Sequence, residues 1–234
     1  MSESPSSSPQ QFDQQKAANY EARWAPLAPL RESLHLQMRL ILHGLPAEAR
    51  VLCVGAGTGA ELLALARAFP NWRFTAVDPS APMLAVCQQL AVEAEISDRC
   101  EFLSCYAHEL PPGKPYDAAT SVLVSHFITD RAQRVAFYRE LAARLRPGGW
   151  LVTADLTTSP PGQHENLYAV WQQMMRHTGA TEEQIQAMLA TYGRDVALLT
   201  IPEMEALLAE AGFAAPVHFS QSLLIHAWFA RKQI

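Results

Sequence analysis

Val51-Leu52-Cys53-Val54-Gly55-Ala56-Gly57-Thr58-Gly59-Ala60-Glu61-Leu62 is the stretch that decides the fold. Its four apolar residues read as a buried strand, its three alternating glycines as a tight turn, and Glu61 to Phe69 as a helix with apolar residues at helical period. Glycines at such a turn let the backbone approach a ligand with no Cβ in the way, beside the free amides of a helix N-terminus. Asp78 follows about 20 residues on, closing a second apolar run from Phe74 to Val77, where a carboxylate can accept from both hydroxyls of a ribose. Two plainer readings stand beside these: a purely structural glycine turn, and an Asp78 that belongs to the start of the helix capped by Ser80.

Around this unit the chain alternates strand and helix. Upstream, one helix-like stretch runs from Phe12 through Tyr20 and Trp24, and a second carries Leu30, Leu34, Met38, Ile41, Leu42 and Leu45, with Pro26 and Pro29 marking the break. Downstream come a helix from Ser80 through Ala94, a strand at Glu101 to Ser104, and a strand at Ala118 to Val124. A helix then runs from Asp130 through Leu145, and Pro147-Gly148-Gly149 ends it and turns the chain into a strand at Trp150 to Ala154. Strands alternating with helices predict a mainly parallel sheet. Residues 157–200 break the alternation with two helices, His164 to Thr178 and Glu182 to Tyr192, read as a cap. A helix from Pro202 to Ala211 and two β-rich runs, Pro216 to Phe219 and Leu223 to Ala230, predict an antiparallel hairpin at the sheet edge.

With 234 residues, 49% hydrophobic and 18% charged, the chain has the composition of one α/β domain, residues 12–234. Residues 1–11, rich in Ser, Pro and Gln, read as a disordered tail. A net charge of -5 supplies no positive field for a phosphate backbone, so no nucleic-acid partner is expected. There is no apolar run of the roughly 18 residues that a membrane span needs, and no basic N-terminal region before a hydrophobic core, so a cytoplasmic protein without a membrane partner is expected. Cys53, Cys87, Cys100 and Cys105 show neither metal-site nor disulfide spacing and read as reduced packing residues, with no metal.

The glycine spacing G-x-G-x-G does not stand alone. Phe74-Thr75-Ala76-Val77-Asp78-Pro79-Ser80 with Met83-Leu84, then Glu109-Leu110-Pro111, Tyr116-Asp117 through Leu123, and Leu145-Arg146-Pro147-Gly148-Gly149 follow in order. In this the chain resembles the class I S-adenosylmethionine-dependent methyltransferases, over about residues 12–231. The resemblance implies an α/β, Rossmann-like, doubly wound sheet of seven strands, mainly parallel with an antiparallel last strand, with N-terminal helices over the cofactor and a helical cap. It implies S-adenosyl-L-methionine as cofactor and a small-molecule acceptor of the methyl group; a homodimer is left open. Gly55, Ala56, Gly57, Thr58 and Gly59 would surround the methionine portion, Asp78 the ribose, and Pro79, Ser80 and Met83 the edge of the adenine. Ala107 would offer its amide to the adenine ring, with Tyr106 where many relatives carry an Asp; Arg31 and Val122 join the cofactor side. On the acceptor side stand Tyr20, His126, Tyr168, Trp171 and Met175, with core packing as the alternative for the cap residues. His126, leaving the fourth strand, is the best-placed general base, because imidazole exchanges a proton near neutral pH. The sulfonium is already strongly electrophilic, so alignment and exclusion of water alone are the alternative.

Three other readings compete. The chain also resembles the carboxy-S-adenosylmethionine synthases, through Phe12-Asp13, the helix around Arg31, the cap, and Met188-Leu189 before Ala211-Gly212-Phe213. That subgroup has an arginine before its Met-Leu pair, where Gln186-Ala187 stand here. A nicotinamide-dependent oxidoreductase predicts the longer G-x-G-x-x-G spacing. A binding module that holds the cofactor without turnover fits Tyr106 and the lack of an acceptor-site signature.

Overall fold

The computed structural model describes residues 14–159 and 162–233, so the expected tail and Phe12-Asp13 lie outside the described residues. Seven strands form one sheet: β1 (Arg50–Val54), β2 (Arg73–Val77), β3 (Cys100–Leu103), β4 (Tyr116–Val122), β5 (Leu145–Leu156), β6 (Phe213–Ser222) and β7 (Ile225–Lys232). Their order is β3-β2-β1-β4-β5-β7-β6. The first five strands run parallel, and β7 pairs antiparallel with both β5 and β6. The order reverses between β1 and β4, and open α/β sheets bind ligands at the carboxyl ends of such strands.

Val51, Leu52, Cys53 and Val54 of β1 are all buried, because a central parallel strand is covered on both faces. One cover is α2 (Ala28–Leu42), α3 (Ala60–Ala68) and α4 (Ala81–Glu93), whose Met38, Leu62, Leu65 and Cys87 share a core with Val51 and Cys53. The other is α5 (Arg131–Arg144) and α8 (Ile201–Glu210), whose Tyr138, Leu141 and Leu207 share a core with Leu52 and Val54. Ser80 and Asp130 cap α4 and α5, their side chains accepting from the amides of Met83 at 3.4 Å and Gln133 at 2.8 Å. α1 (Gln14–Trp24) precedes α2.

The strand edges differ from the sequence reading. β4 stops at Val122 because Leu123 takes a left-handed φ of 58°, although its amide still donates to Ala154 at 2.7 Å. β5 starts at Leu145, which already pairs with Tyr116. Pro147 biases the preceding residue towards extended backbone, so α5 ends at Arg144 and the Pro-Gly-Gly turn becomes an irregular strand start. The last two strands exceed their apolar runs because β7 registers against β5 from Trp150↔Arg231 to Leu156↔Ile225.

The region after β5 forms α6 (His164–His177) and α7 (Glu182–Leu189). They bury Trp171, Met174, Met175 and Ile185 in a third cluster with Leu156 and Leu224. Trp24, Leu27, Leu123 and Tyr168 pack against this cluster, so the N-terminal helix, the turn after β4 and the cap share one apolar roof. Among the described residues no helix is long and apolar enough to cross a membrane.

Candidate functional site

The glycine turn after β1 folds over the end of β2, with the amides of Gly55 and Ala56 donating to the Val77 carbonyl at 2.7 and 3.1 Å. Gly59, at φ 84°, begins α3, and a Cβ there would run into Cys87 of α4. A Cβ on Gly55 would run into Val124, so the turns after β1 and β4 touch. Asp78 is held by two amides, Gly57 to Oδ2 and Ser80 to Oδ1, both at 2.8 Å. Burial raises its pKa and these two amides oppose the rise. Each carboxylate oxygen has a second lone pair for a ribose hydroxyl.

α1 covers this turn. Glu21 pairs with Arg31 of α2 at 2.8 Å and accepts the Thr58 hydroxyl at 2.6 Å. Burial, then the Glu21 and Glu61 carboxylates, push the Tyr20 phenol above its ordinary value. Glu61, in the first turn of α3, is only 5% exposed, and its Oε1 has no hydrogen-bond partner among the described residues. A ligand with a zwitterionic amino-acid end and a ribose fits this set of groups, which offers carboxylates, a guanidinium and the Asp78 oxygens around a turn with three glycines. Of the residues expected at the adenine, Met83 and Ala107 are buried, and no hydrogen bond among the described residues takes up the Ala107 amide. Pro79 is exposed, and Ser80 caps the helix beside it. Tyr106 is 42% exposed and its ring stacks on His108, while its amide donates to Glu109 at 2.7 Å.

Beyond Val122 the chain enters a tight turn, Ser125–Phe127, in which Ser125 and His126 are buried. Asp155, near the end of β5, meets them: its Oδ1 is bonded to the His126 ring Nδ1 and accepts the His126 amide at 3.1 Å. Its Oδ2 accepts from the Ser125 hydroxyl and, at 2.8 Å, from Arg134 of α5. Arg134 also donates to Ser125 at 2.7 Å, and the Tyr138 hydroxyl lies 3.0 Å from Ser125 and 2.8 Å from Thr153. Burial would raise the Asp155 carboxyl, but His126, Arg134 and Ser125 outweigh it and hold the group below its ordinary value. An ionised Asp155 accepts the hydrogen bond of the Nδ1–H, which leaves the lone pair on His126 Nε2. The Ala197 amide, from the segment leaving the cap, donates to the His126 carbonyl at 2.8 Å and pins the turn.

Of the cap residues, Trp171 and Met175 are 4% and 1% exposed inside the cap's own core. The Trp171 indole donates to the Tyr192 hydroxyl at 2.9 Å. Tyr168 is half-buried, its ring centroid 4.1 Å from His164 and 6.0 Å from Tyr192. Sequence reasoning missed Asp155, Arg134, Glu21 and Glu61. The available signal was a lone charge in an apolar frame, as in Ala154-Asp155-Leu156, because such a charge stays buried only with a partner. Among the described residues no cluster of three or more His, Cys, Asp or Glu could hold a metal ion.

Residues 51–149, which span the glycine turn, Asp78, His126 and the Pro-Gly-Gly turn, match a family model. The family is described as a methyltransferase domain. Demethylmenaquinone methyltransferase of Thermus thermophilus is 28% identical over 171 residues, 72% of this chain and 76% of that protein. Fatty-acid O-methyltransferase of Mycolicibacterium smegmatis is 33% identical over 135 residues, 54% of this chain and 47% of that protein. Three curated relatives are longer proteins, of which the chain spans 24%, 54% and 47%. The fold is shared with 1,6-didemethyltoxoflavin-N1-methyltransferase of Burkholderia thailandensis, solved with 1,6-didemethyltoxoflavin and S-adenosylhomocysteine. That likeness has a TM-score of 0.63 at 20% identity and covers 100% of this chain and 94% of that one. The seven-stranded, mostly parallel sheet of this chain is thus the Rossmann-like fold of methyltransferases.

Proposed function

We propose that the chain transfers a methyl group from S-adenosylmethionine to a small-molecule acceptor with an ionisable O–H or N–H. The observation that carries this reading is the His126–Asp155 pair, set on the same sheet edge as the glycine turn and Asp78 and joined to them through the Val124–Gly55 approach. When bound, the cofactor's sulfonium supplies an electrophilic methyl group, which the acceptor's heteroatom takes as the carbon–sulfur bond breaks. Asp78 holds the ribose, and the glycine turn lets the methionine portion lie against the backbone. His126 Nε2 accepts the acceptor's proton as the new bond forms, and the resulting imidazolium faces the Asp155 carboxylate, which stabilises the charge. The roof that joins α1, the turn after β4 and the cap keeps water from the reacting atoms.

A carboxy-S-adenosylmethionine synthase is not favoured. Gln186 and Ala187 are exposed on α7, with Gln186 bonded to Glu182, and none of the matches reported above carries that name. The test is acceptor-dependent release of S-adenosylhomocysteine across a panel of small phenols, enols, heterocyclic amines and carboxylates. The expected result is turnover with one acceptor class and a His126→Asn variant slowed roughly 10²- to 10⁴-fold with unchanged affinity for S-adenosylhomocysteine. Full activity in that variant would remove the base from the mechanism. Cofactor binding with no acceptor-dependent release across the panel would favour the binding module.

A further inference from the structure

We propose that Glu61 is the counter-ion for the α-ammonium of bound S-adenosylmethionine, an assignment that rests on the cofactor reading and names the group that holds the amino-acid end. Glu61 lies two residues past Gly59, on the first turn of the helix that leaves the glycine turn. It is 5% exposed, its carboxyl accepts from its own backbone amide, and among the described residues its Oε1 has no hydrogen-bond partner. A buried carboxyl with an unused oxygen is costly unless a donor arrives, and among the described residues no donor reaches it.

The ionisable groups that interact with it electrostatically come from four elements: Tyr20 of α1, Cys53 of β1, Asp78 after β2 and Cys87 of α4. All are neutral or acidic. Arg31 of α2 is ion-paired to Glu21. A buried carboxyl whose ionisable neighbours are acids, a phenol and thiols, beside a glycine turn, favours a compact cation with several N–H donors, and a primary ammonium is that group. Burial, supplemented by Asp78, pushes the Glu61 carboxyl up to about 7 in the ligand-free chain. An arriving ammonium favours the ionised form, so binding expels the carboxyl's proton to the buffer while the ammonium keeps its own.

The experiment is isothermal titration of the full chain with S-adenosylhomocysteine and with 5′-methylthioadenosine, which has the same nucleoside but no amino acid. Each titration is run in buffers of different ionisation enthalpy, which counts the protons released. Asp78 meets the ribose of both ligands, so any proton it gives up appears in both and cancels. The proposal expects S-adenosylhomocysteine to release close to one proton more than methylthioadenosine at pH 6, and almost none more at pH 8.5. Glu61→Gln should weaken S-adenosylhomocysteine roughly 10- to 100-fold and abolish the difference in proton release. Methylthioadenosine should bind that variant as it binds the parent, which also shows that the variant is folded. If both ligands bind the parent chain with equal proton release at every pH, Glu61 is not the counter-ion, whatever the variant does. If neither ligand binds the parent chain, the cofactor reading itself fails and this assignment falls with it.

Discussion

Asp155 serves three side chains with two oxygens: His126 on one, Ser125 and Arg134 on the other. Both members of the Asp155–Arg134 ion pair are 1% exposed. Removing one partner strands the other charge out of water, so Arg134→Ala should cost about 3–5 kcal/mol of stability. Urea unfolding checks this, and a loss below about 1 kcal/mol would mean that Asp155 is stabilised by something else. At this scale the sequence was legible where the signal is local. Ser80 and Asp130 cap the helices they precede, and the glycines sit where the turn needs them. His126 was legible as a candidate, yet its orienting carboxylate lies 29 residues away on the next strand, and spacing cannot pair two such residues.

α3 shows how an element depends on one residue. Its first amides are aimed by Gly59, which takes φ 84° with Cys87 packed where a Cβ would be. Gly59→Ala combines a left-handed alanine, costing about 1–2 kcal/mol, with a displaced thiol. The expected loss is about 2 kcal/mol or more in chemical denaturation, and adding Cys87→Ala should recover the packing part but not the backbone part. Equal stability of Gly59→Ala and the parent would show that the turn tolerates another conformation. Helices were legible as elements because periodicity, caps and the Gly212 stop agree. Strand ends were not, because β5 and β7 extend as far as their neighbours pair with them, which is a property of register and not of the local residues.

Across the whole molecule, buried ionisable groups set how stability follows pH. Burial, with Arg31 and Arg39 nearby, pulls His35 down to about 4, and burial beside His218 pulls His226 down to about 4. Both rings stay neutral in the fold below the pH at which they take up protons in the unfolded chain. The unfolded state then binds more protons, and stability falls as pH drops from about 6.5 towards 4. Glu61 acts in the opposite sense: its raised pKa makes its contribution fall as pH rises from 4.5 to about 7. With two histidines against one carboxyl, Tm should decline on the acid side of pH 6.5, and His226→Asn should reduce the slope. A Tm that does not change between pH 5 and 7 would contradict the burial of these rings. The mainly parallel sheet was legible from the strand and helix alternation, and its doubly wound, seven-stranded form from the family resemblance, while the shared roof of α1, the β4 turn and the cap was not, since it joins three segments far apart in the chain.

The central claim is that the glycine turn and Asp78 bind an S-adenosyl nucleoside. Calorimetric titration of the purified chain and of Asp78→Ala with S-adenosylhomocysteine, alongside NADH, tests it most directly. The account predicts one S-adenosylhomocysteine per chain, no NADH, and an Asp78→Ala loss of about 1.5–3 kcal/mol, the range for hydrogen bonds to a charged group. NADH binding without S-adenosylhomocysteine, or equal affinity in Asp78→Ala, would contradict it.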